Sequence, residues 1–208
     1  MIDYIRDPEE IYRRSFAMAR AVTDLSAISA DLESLALRLV HACGTPDIVA
    51  DLAASPGAAA AGRKALGAGA PILVDAEMVG AGIIRSSLPA RNEIICTLNV
   101  PGVAEAARAA GTTRAAAAVD LWGTRLGGAV VAVGNAPTAL FRLIEILDAG
   151  APLPALVLGF PVGFVGAAES KRALIERSGP VPFIALRGRR GGSALAAAAV
   201  NALAGGVP

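Results

Sequence analysis

The sequence predicts an α/β fold in a single domain, residues 1–208, whose mainly parallel, doubly wound β-sheet carries helices on both faces. Two observations support this prediction: the apolar runs are short and continuous, and helical patterns separate them along the chain. Strands that are buried on both faces show such continuous runs, whereas half-exposed strands alternate apolar and polar residues. The predicted strands span residues 71–75, 93–97, 129–133, 155–158 and 183–186.

The helices are predicted from apolar periodicity and from residues that suit helix ends. Asp7 and Pro8 begin a first helix over residues 8–20, since Asp is a good N-cap and Pro suits the first helical position. Ser29 is the predicted cap of a second helix over residues 30–43. Further helices are predicted over residues 103–110, 113–126, 136–149, 167–178 and 193–203. In sheets of this kind ligands bind beyond the carboxyl ends of the strands, so the residues after each strand are candidates for a site.

Charge and composition argue against several classes of protein. Lys and Arg number 19 against 18 Asp and Glu, and this balance gives no electrostatic case for general nucleic-acid binding. Cys43 and Cys96 form no CxxC pair, and with one histidine no ordinary zinc site is expected, so we interpret both as reduced, apolar packing residues. Residues 149–168 carry no charge, but prolines and glycines interrupt them, which predicts a buried strand and a loop rather than a membrane span. The N-terminus lacks the pattern of a signal peptide, and we expect a cytoplasmic protein.

The single histidine, His41, is the default candidate for proton transfer at neutral pH. It lies in the last turn of the predicted second helix, just before Gly44, where the helix macrodipole also favours a histidine with a structural role. Position alone therefore leaves a catalytic and a structural role open. Arg38, three residues earlier, lies on the same helix face and can stand beside His41 in one pocket.

Several segments near predicted strand ends suit an anionic ligand. The helix start Gly134-Asn135-Ala136-Pro137 has no acidic side chain in its first turn, so its amides are predicted to be free for a carboxylate or phosphate; a well-capped helix start is the alternative. Arg114 is unfavourably placed near a helix N-terminus, which indicates an anionic partner, either an internal carboxylate or a ligand. The basic residues 187–190 suit anions too, or form a solvated loop.

Common catalytic motifs are missing from the sequence. No Gly-x-Gly-x-x-Gly follows a strand, which disfavours a nicotinamide or flavin cofactor, and no P-loop is found. No Gly-x-Ser-x-Gly elbow is found, which disfavours a generic α/β-hydrolase. Cys43 is two residues from His41, so on a helix the two side chains do not face each other as a catalytic pair.

Taken together, several motifs resemble the precorrin-8X methylmutase (precorrin isomerase) family of cobalamin biosynthesis. Any one of them is weak, but the ordered set is specific and spans nearly the whole chain. The matching segments are Ser15-Phe16, Arg38-x-x-His41-Ala42-x-Gly44, Gly134-Asn135-Ala136-Pro137-Thr138-Ala139-Leu140, Gly159-Phe160-Pro161-Val162-Gly163-Phe164-Val165 with Glu169-Ser170-Lys171, and Arg187-Gly188-Arg189-x-Gly191-Gly192-Ser193.

The resemblance implies a cofactor-independent isomerase that moves a methyl group from C11 to C12 of precorrin-8X and gives hydrogenobyrinic acid. It implies that His41 is the proton donor, presented at a helix C-terminus whose dipole favours the charged imidazole. It also implies a homodimer with pockets near the interface, and no metal site, nucleic acid or membrane is expected. The predicted substrate contacts are Ser15, Arg38, Arg85, Arg114 and Asn135. Two alternatives stay open: the cobalt-precorrin-8 methylmutase of the anaerobic pathway, and a non-catalytic corrinoid carrier.

Overall fold

The computed structural model describes residues 2–205, which form one six-stranded sheet with helices on both faces. The strands are β1 (Leu52–Ala54), β2 (Ile72–Val74), β3 (Ile94–Cys96), β4 (Val130–Val133), β5 (Leu156–Gly159) and β6 (Phe183–Leu186). Their order is β1-β6-β5-β4-β2-β3, where β1 runs antiparallel to β6 and the other neighbours are parallel. The predicted fold class, an α/β fold with a mainly parallel, doubly wound sheet, is confirmed.

The helices surround this sheet, and short 3₁₀ turns connect some of them. The helices are α1 (Pro8–Val22), α2 (Glu33–Cys43), α3 (Ala58–Gly67), α4 (Glu77–Gly82), α5 (Val103–Ala109), α6 (Arg114–Asp120), α7 (Pro137–Asp148), α8 (Ala167–Arg177) and α9 (Ser193–Gly205). The 3₁₀ turns are Pro46–Asp51, Arg85–Ser87 and Gly123–Leu126. Among residues 2–205, no helix has the length and apolar character needed to cross a membrane.

The two faces of the sheet bury alternate residues of each strand. In β2, Ile72 and Val74 pack with helices α1, α2, α3 and α9, whereas Leu73 packs on the opposite face with α7 and α8. Helix α9 lies between the sheet and α2, and its alanine-rich sequence is buried from Leu195 to Leu203. Both faces of the sheet are therefore covered, which explains why the strands read as continuous apolar runs.

Several elements differ from the sequence-based predictions for identifiable reasons. The second helix begins at Glu33 rather than at residue 30, because the Ser29 hydroxyl donates to the Asp31 carboxylate instead of capping the helix. The predicted helix over residues 113–126 divides into α6 and a 3₁₀ turn at Gly123, whose φ is 50°. Strand β1 and helices α3 and α4 were not predicted, since they are short or rich in alanine and glycine and show no strong apolar period.

Candidate functional site

The strand order reverses between β2 and β4, and this creates a crevice at their carboxyl ends. The chain continues from β2 to β3 on one side and from β4 to β5 on the other. Such a switch point is the usual ligand site of an open α/β sheet. The starts of α6 and α7 flank the crevice and are joined by a 2.7 Å hydrogen bond from the Thr113 hydroxyl to the Thr138 hydroxyl.

The start of α7 is capped by an internal carboxylate, that of Asp75 at the end of β2. This carboxylate accepts hydrogen bonds from the amides of Gly134 at 2.8 Å, Asn135 at 2.9 Å and Ala136 at 2.7 Å. Burial raises the pKa of Asp75, and the amide donors act in the opposite direction. The prediction that these amides are free for a ligand is therefore wrong, and the well-capped alternative is right. The Asn135 side chain lies exposed at the mouth of the crevice.

His41 lies in the last turn of α2, and its imidazole contacts Ser15 of α1. Gly44 ends the helix as predicted, with a φ of 68° and an N–H that donates to the Val40 carbonyl at 2.7 Å. The Ser15 Oγ lies 2.8 Å from Nδ1 of His41. This contact occupies Nδ1 and leaves Nε2 as the ring nitrogen that can reach a substrate.

Aromatic rings fix the orientation of the imidazole. The Phe16 ring stacks on His41 with the centroids 4.7 Å apart and an interplanar angle of 15°, and Tyr12 meets it edge-on at 5.9 Å. The Arg38 guanidinium lies 5.4 Å from the Tyr12 centroid and 5.2 Å from that of Phe16. Arg38 and His41 thus share one aromatic cluster, as their helical spacing suggests.

The electrostatic environment of His41 differs from the prediction. Partial burial and then the positive charge of Arg38 lower the pKa of His41. We expected the helix dipole to favour the charged imidazole, but burial and the charge of Arg38 act against that form. A lowered pKa makes the imidazolium a stronger acid and reduces its fraction at neutral pH.

An exposed apolar stripe on α1 borders the His41–Ser15 pair. Ile11, Met18 and Val22 lie on the same helix face as Ser15, because they are spaced by three or four residues. Their exposed fractions are 47%, 69% and 63%. The imidazole therefore lies at the edge of an apolar surface that nothing covers within residues 2–205.

Two loops extend from the carboxyl ends of β5 and β6. The phenylalanine loop (residues 160–166) exposes Phe164 by 85% and Val165 by 89%. The arginine loop (residues 187–192) contributes Arg189, whose guanidinium lies 5.4 Å from the centroid of the Phe164 ring. The buried strand followed by a loop that was predicted within residues 149–168 is confirmed by β5 and the phenylalanine loop. The loops provide an apolar surface beside positive charge.

The two remaining predicted arginines lie in different parts of the molecule. Arg114 begins α6, at the carboxyl end of the sheet, and in the described part of the chain no carboxylate forms an ion pair with it. Arg85 follows α4 beside the end of α9, where the Ile84 N–H donates to the Asn201 side chain at 2.8 Å. A single chain therefore does not bring Arg85 to the crevice, whereas Arg114 lies at its edge.

A family model described as precorrin-8X methylmutase matches residues 10–205. The chain belongs to the precorrin-8X methylmutase family. Precorrin-8X methylmutases are isomerases of the intramolecular-transferase type, so the predicted family, enzyme class and link to cobalamin biosynthesis are confirmed.

Individual members of this family match almost the whole chain. The precorrin-8X methylmutase of Pseudomonas aeruginosa is 63% identical over 204 residues, which cover 98% of each chain. The cobalt-precorrin-8 methylmutase of Methanothermobacter thermautotrophicus is 38% identical over 196 residues, 93% of this chain and 91% of the relative. The crystal structure of the precorrin-8x methylmutase from Thermus thermophilus has a TM-score of 0.85 at 44% identity and covers 94% of each chain.

The cysteines of this methylmutase family member differ from each other in their surroundings. Cys96 is half-buried against the core, as predicted, and burial raises the pKa of its thiol to about 11. Cys43 is exposed, so its predicted role as a packing residue is wrong. Across residues 2–205, no group of three or more His, Cys, Asp or Glu side chains is arranged to hold a metal ion.

Sequence reasoning missed Asp75 as part of the crevice of this methylmutase family member. The signal was available, because an acid directly follows the apolar run of β2 at the predicted carboxyl edge. Its partners were not identifiable from the sequence, since the capped amides lie about sixty residues further along the chain.

Proposed function

We propose that this chain is a precorrin-8X methylmutase, which moves the methyl group from C11 to C12 of precorrin-8X and gives hydrogenobyrinic acid. The observation that carries the proposal is the His41–Ser15 pair, held by Phe16 at an exposed apolar edge. It supplies one oriented proton carrier and no second histidine. The family membership of the chain supports the same reaction.

In the proposed reaction, His41 donates a proton from Nε2 to the macrocycle. Protonation of the ring makes the conjugated system more electron-poor and promotes the methyl shift. A proton then leaves the ring, so that substrate and product remain isomers. The Ser15 hydroxyl bonds to Nδ1 and keeps Nε2 directed at the substrate. A positioned acid of this kind contributes roughly 10²–10⁴-fold to a rate.

The substrate is a flat, apolar ring that carries many carboxylates, and the surroundings of His41 and of the crevice offer matching groups. Arg38 and Arg114 supply positive charge, Asn135 supplies a side-chain amide, and the phenylalanine loop supplies an exposed apolar surface. Substrate carboxylates near Arg38 offset its charge and thereby raise the pKa of His41 in the complex. Binding therefore favours the protonated donor at the moment when it is needed.

We propose that the enzyme is a homodimer in which a second copy covers the exposed stripe on α1. A contiguous apolar surface next to polar groups is typical of an interface, and coverage of this stripe encloses His41. Arg85 enters such a pocket only if the second copy supplies it. Light scattering of the wild type should give twice the mass of the chain, and Met18→Glu should lower the measured mass towards that of a monomer. A monomeric mass for the wild type at the concentration used in the assays contradicts the dimer.

The two alternative functions make different predictions for one turnover assay. Purified chain is incubated with an excess of precorrin-8X, and the formation of hydrogenobyrinic acid is followed by absorbance. We expect many equivalents of product per chain, whereas a non-catalytic carrier gives at most one. Cobalt-precorrin-8 is assayed in parallel, and we expect slower turnover of it. The reason is that the chain is 63% identical to a relative named precorrin-8X methylmutase and 38% identical to one named cobalt-precorrin-8 methylmutase. Absence of multiple turnover with either substrate contradicts the proposed function.

We further propose that residues 1–208 act as one domain in the cytoplasm. The single continuous sheet supports one cooperative unit, and free thiols suit a reducing compartment. A single unfolding transition and recovery of the protein in the soluble cell fraction are the expected results.

A further inference from the structure

One lysine, Lys171, is completely buried and has no part in the proton transfer proposed above. It lies on α8, and its Nζ donates a 2.6 Å hydrogen bond to the main-chain carbonyl of Arg190. Burial lowers the pKa of Lys171 to about 8, while the charge of Asp51 acts in the opposite direction. The charged ammonium is therefore the main form at neutral pH. Burial of a charge costs free energy unless the charge is paired, so the groups that Lys171 contacts indicate which segments it holds in place.

The first partner is the arginine loop, which is bound tightly to the phenylalanine loop. The Gly192 N–H donates to the Phe160 carbonyl at 2.8 Å, and the Gly163 N–H donates to the Arg189 carbonyl at 3.2 Å. A Cβ atom on Gly191 would lie 2.3 Å from the Phe160 carbonyl oxygen, so the loops approach as closely as glycine permits. The two loops therefore form one connected unit, and Lys171 of α8 donates a hydrogen bond to that unit.

The second partner is the segment that follows the helix of His41. The Arg190 guanidinium pairs with Asp51 at 2.5 Å and with Asp47 at 2.8 Å. Both acids belong to the 3₁₀ turn Pro46–Asp51, which follows α2 directly. The Arg190 side chain thus binds this turn, and the Arg190 carbonyl binds Lys171. The cluster therefore joins the turn, the arginine loop and α8 at one end of the sheet.

We propose that Lys171 is a positioning residue for the substrate: by fixing the Arg190 carbonyl it holds the two loops against the segment that follows the His41 helix. The inference rests on the proposed function, because it assigns the loops to binding of the corrin ring. Loss of the ammonium frees the loop unit to shift relative to His41. Displaced loops contact the ring less well, and a tenfold higher Kd corresponds to a loss of about 1.4 kcal/mol of binding free energy.

The test uses Lys171→Met, which removes the charge and the donor, and Lys171→Gln, which removes the charge but keeps an N–H donor. Arg172→Met is the matched control, because it removes one positive charge from the same helix at an exposed position. We expect Lys171→Met to raise the KM for precorrin-8X and the Kd for hydrogenobyrinic acid about tenfold, with a smaller change in kcat. Lys171→Gln should recover part of the loss, and the control should match the wild type.

Amide hydrogen exchange gives a second measurement that requires no turnover. In Lys171→Met the amides of Gly163 and Gly192 should exchange at least tenfold faster, while those of β4 and β5 stay protected. If Lys171→Met lowers only the melting temperature and both variants keep KM and Kd within twofold of the wild type, the positioning role is overturned. If the wild type itself does not turn over, the proposed function fails, and the Kd and exchange data still decide the role of Lys171. If Lys171→Met does not fold, Lys171→Gln alone decides the positioning role by the same twofold limits on KM and Kd.

Discussion

Replacement of Asp75 by Ala tests the internal cap of α7. Hydrogen bonds to a charged group contribute about 1.5–3 kcal/mol each, and the Asp75 carboxylate accepts three from main-chain amides. The full sum overstates the effect, because water reaches the exposed Asn135 and the half-buried Ala136, and because removal of a buried carboxylate also removes its desolvation cost. We therefore expect a loss of about 3–5 kcal/mol in the free energy of unfolding. A domain in the middle or upper part of the usual range of about 5–15 kcal/mol remains folded after such a loss.

The assay is urea unfolding followed by circular dichroism, with Glu77→Ala as the control that removes an exposed carboxylate near the same strand end. The vacated amides should then accept an external carboxylate. For a Kd of about 0.1 M, 1 M acetate restores about 1.4 kcal/mol to Asp75→Ala, and the control should show no comparable gain. A loss below about 1 kcal/mol, or equal effects of acetate on both variants, refutes the capping role of Asp75.

Three further predictions concern the proposed site. The imidazolium is the active form, and its pKa is lowered in the free chain, so kcat/KM should fall with rising pH at a pH below the ordinary histidine pKa, whereas kcat should fall only at higher pH. Arg38→Gln should move the fall in kcat/KM to higher pH. A fall at the same pH as in the wild type contradicts the role of Arg38. Ser15→Ala should lower kcat about tenfold with little change in the Kd for product, and an unchanged kcat removes Ser15 from the orientation of His41. Arg114→Ala should raise the Kd for hydrogenobyrinic acid about tenfold and make binding less sensitive to salt, whereas unchanged affinity excludes contact with a substrate carboxylate.

Those parts of the fold that depend on local pattern were predictable from the sequence. The continuous runs that form β2, β4, β5 and β6 indicate their burial on both faces, and Gly44 ends α2 where a C-terminal glycine is expected. Strand β1 was not predictable in this way, because it is a three-residue edge strand whose pairing with β6 depends on residues far along the chain.

For the site, uniqueness in composition identifies His41, but its surroundings depend on tertiary contacts. The stacking of Phe16 on His41 arises only when α1 packs on α2, and the partial burial that lowers the pKa of His41 likewise depends on tertiary packing. Periodicity places Lys171 on the buried face of α8 with Ala167 and Leu174, but the burial of its charge was not predictable, since a lysine on a helix is usually exposed. Asp75 illustrates the same limit. The acid that caps α7 follows β2, so the sequence around the start of α7 gives no sign of it.

The central claim is that His41 donates the proton that drives the methyl shift. The most direct measurement is a single-turnover experiment in which precorrin-8X is bound to excess His41→Ala and its conversion is followed by absorbance. We expect the variant to bind the tetrapyrrole with near wild-type affinity and to convert it at least about 10²-fold more slowly. Conversion of the bound substrate at the wild-type rate contradicts the role of His41.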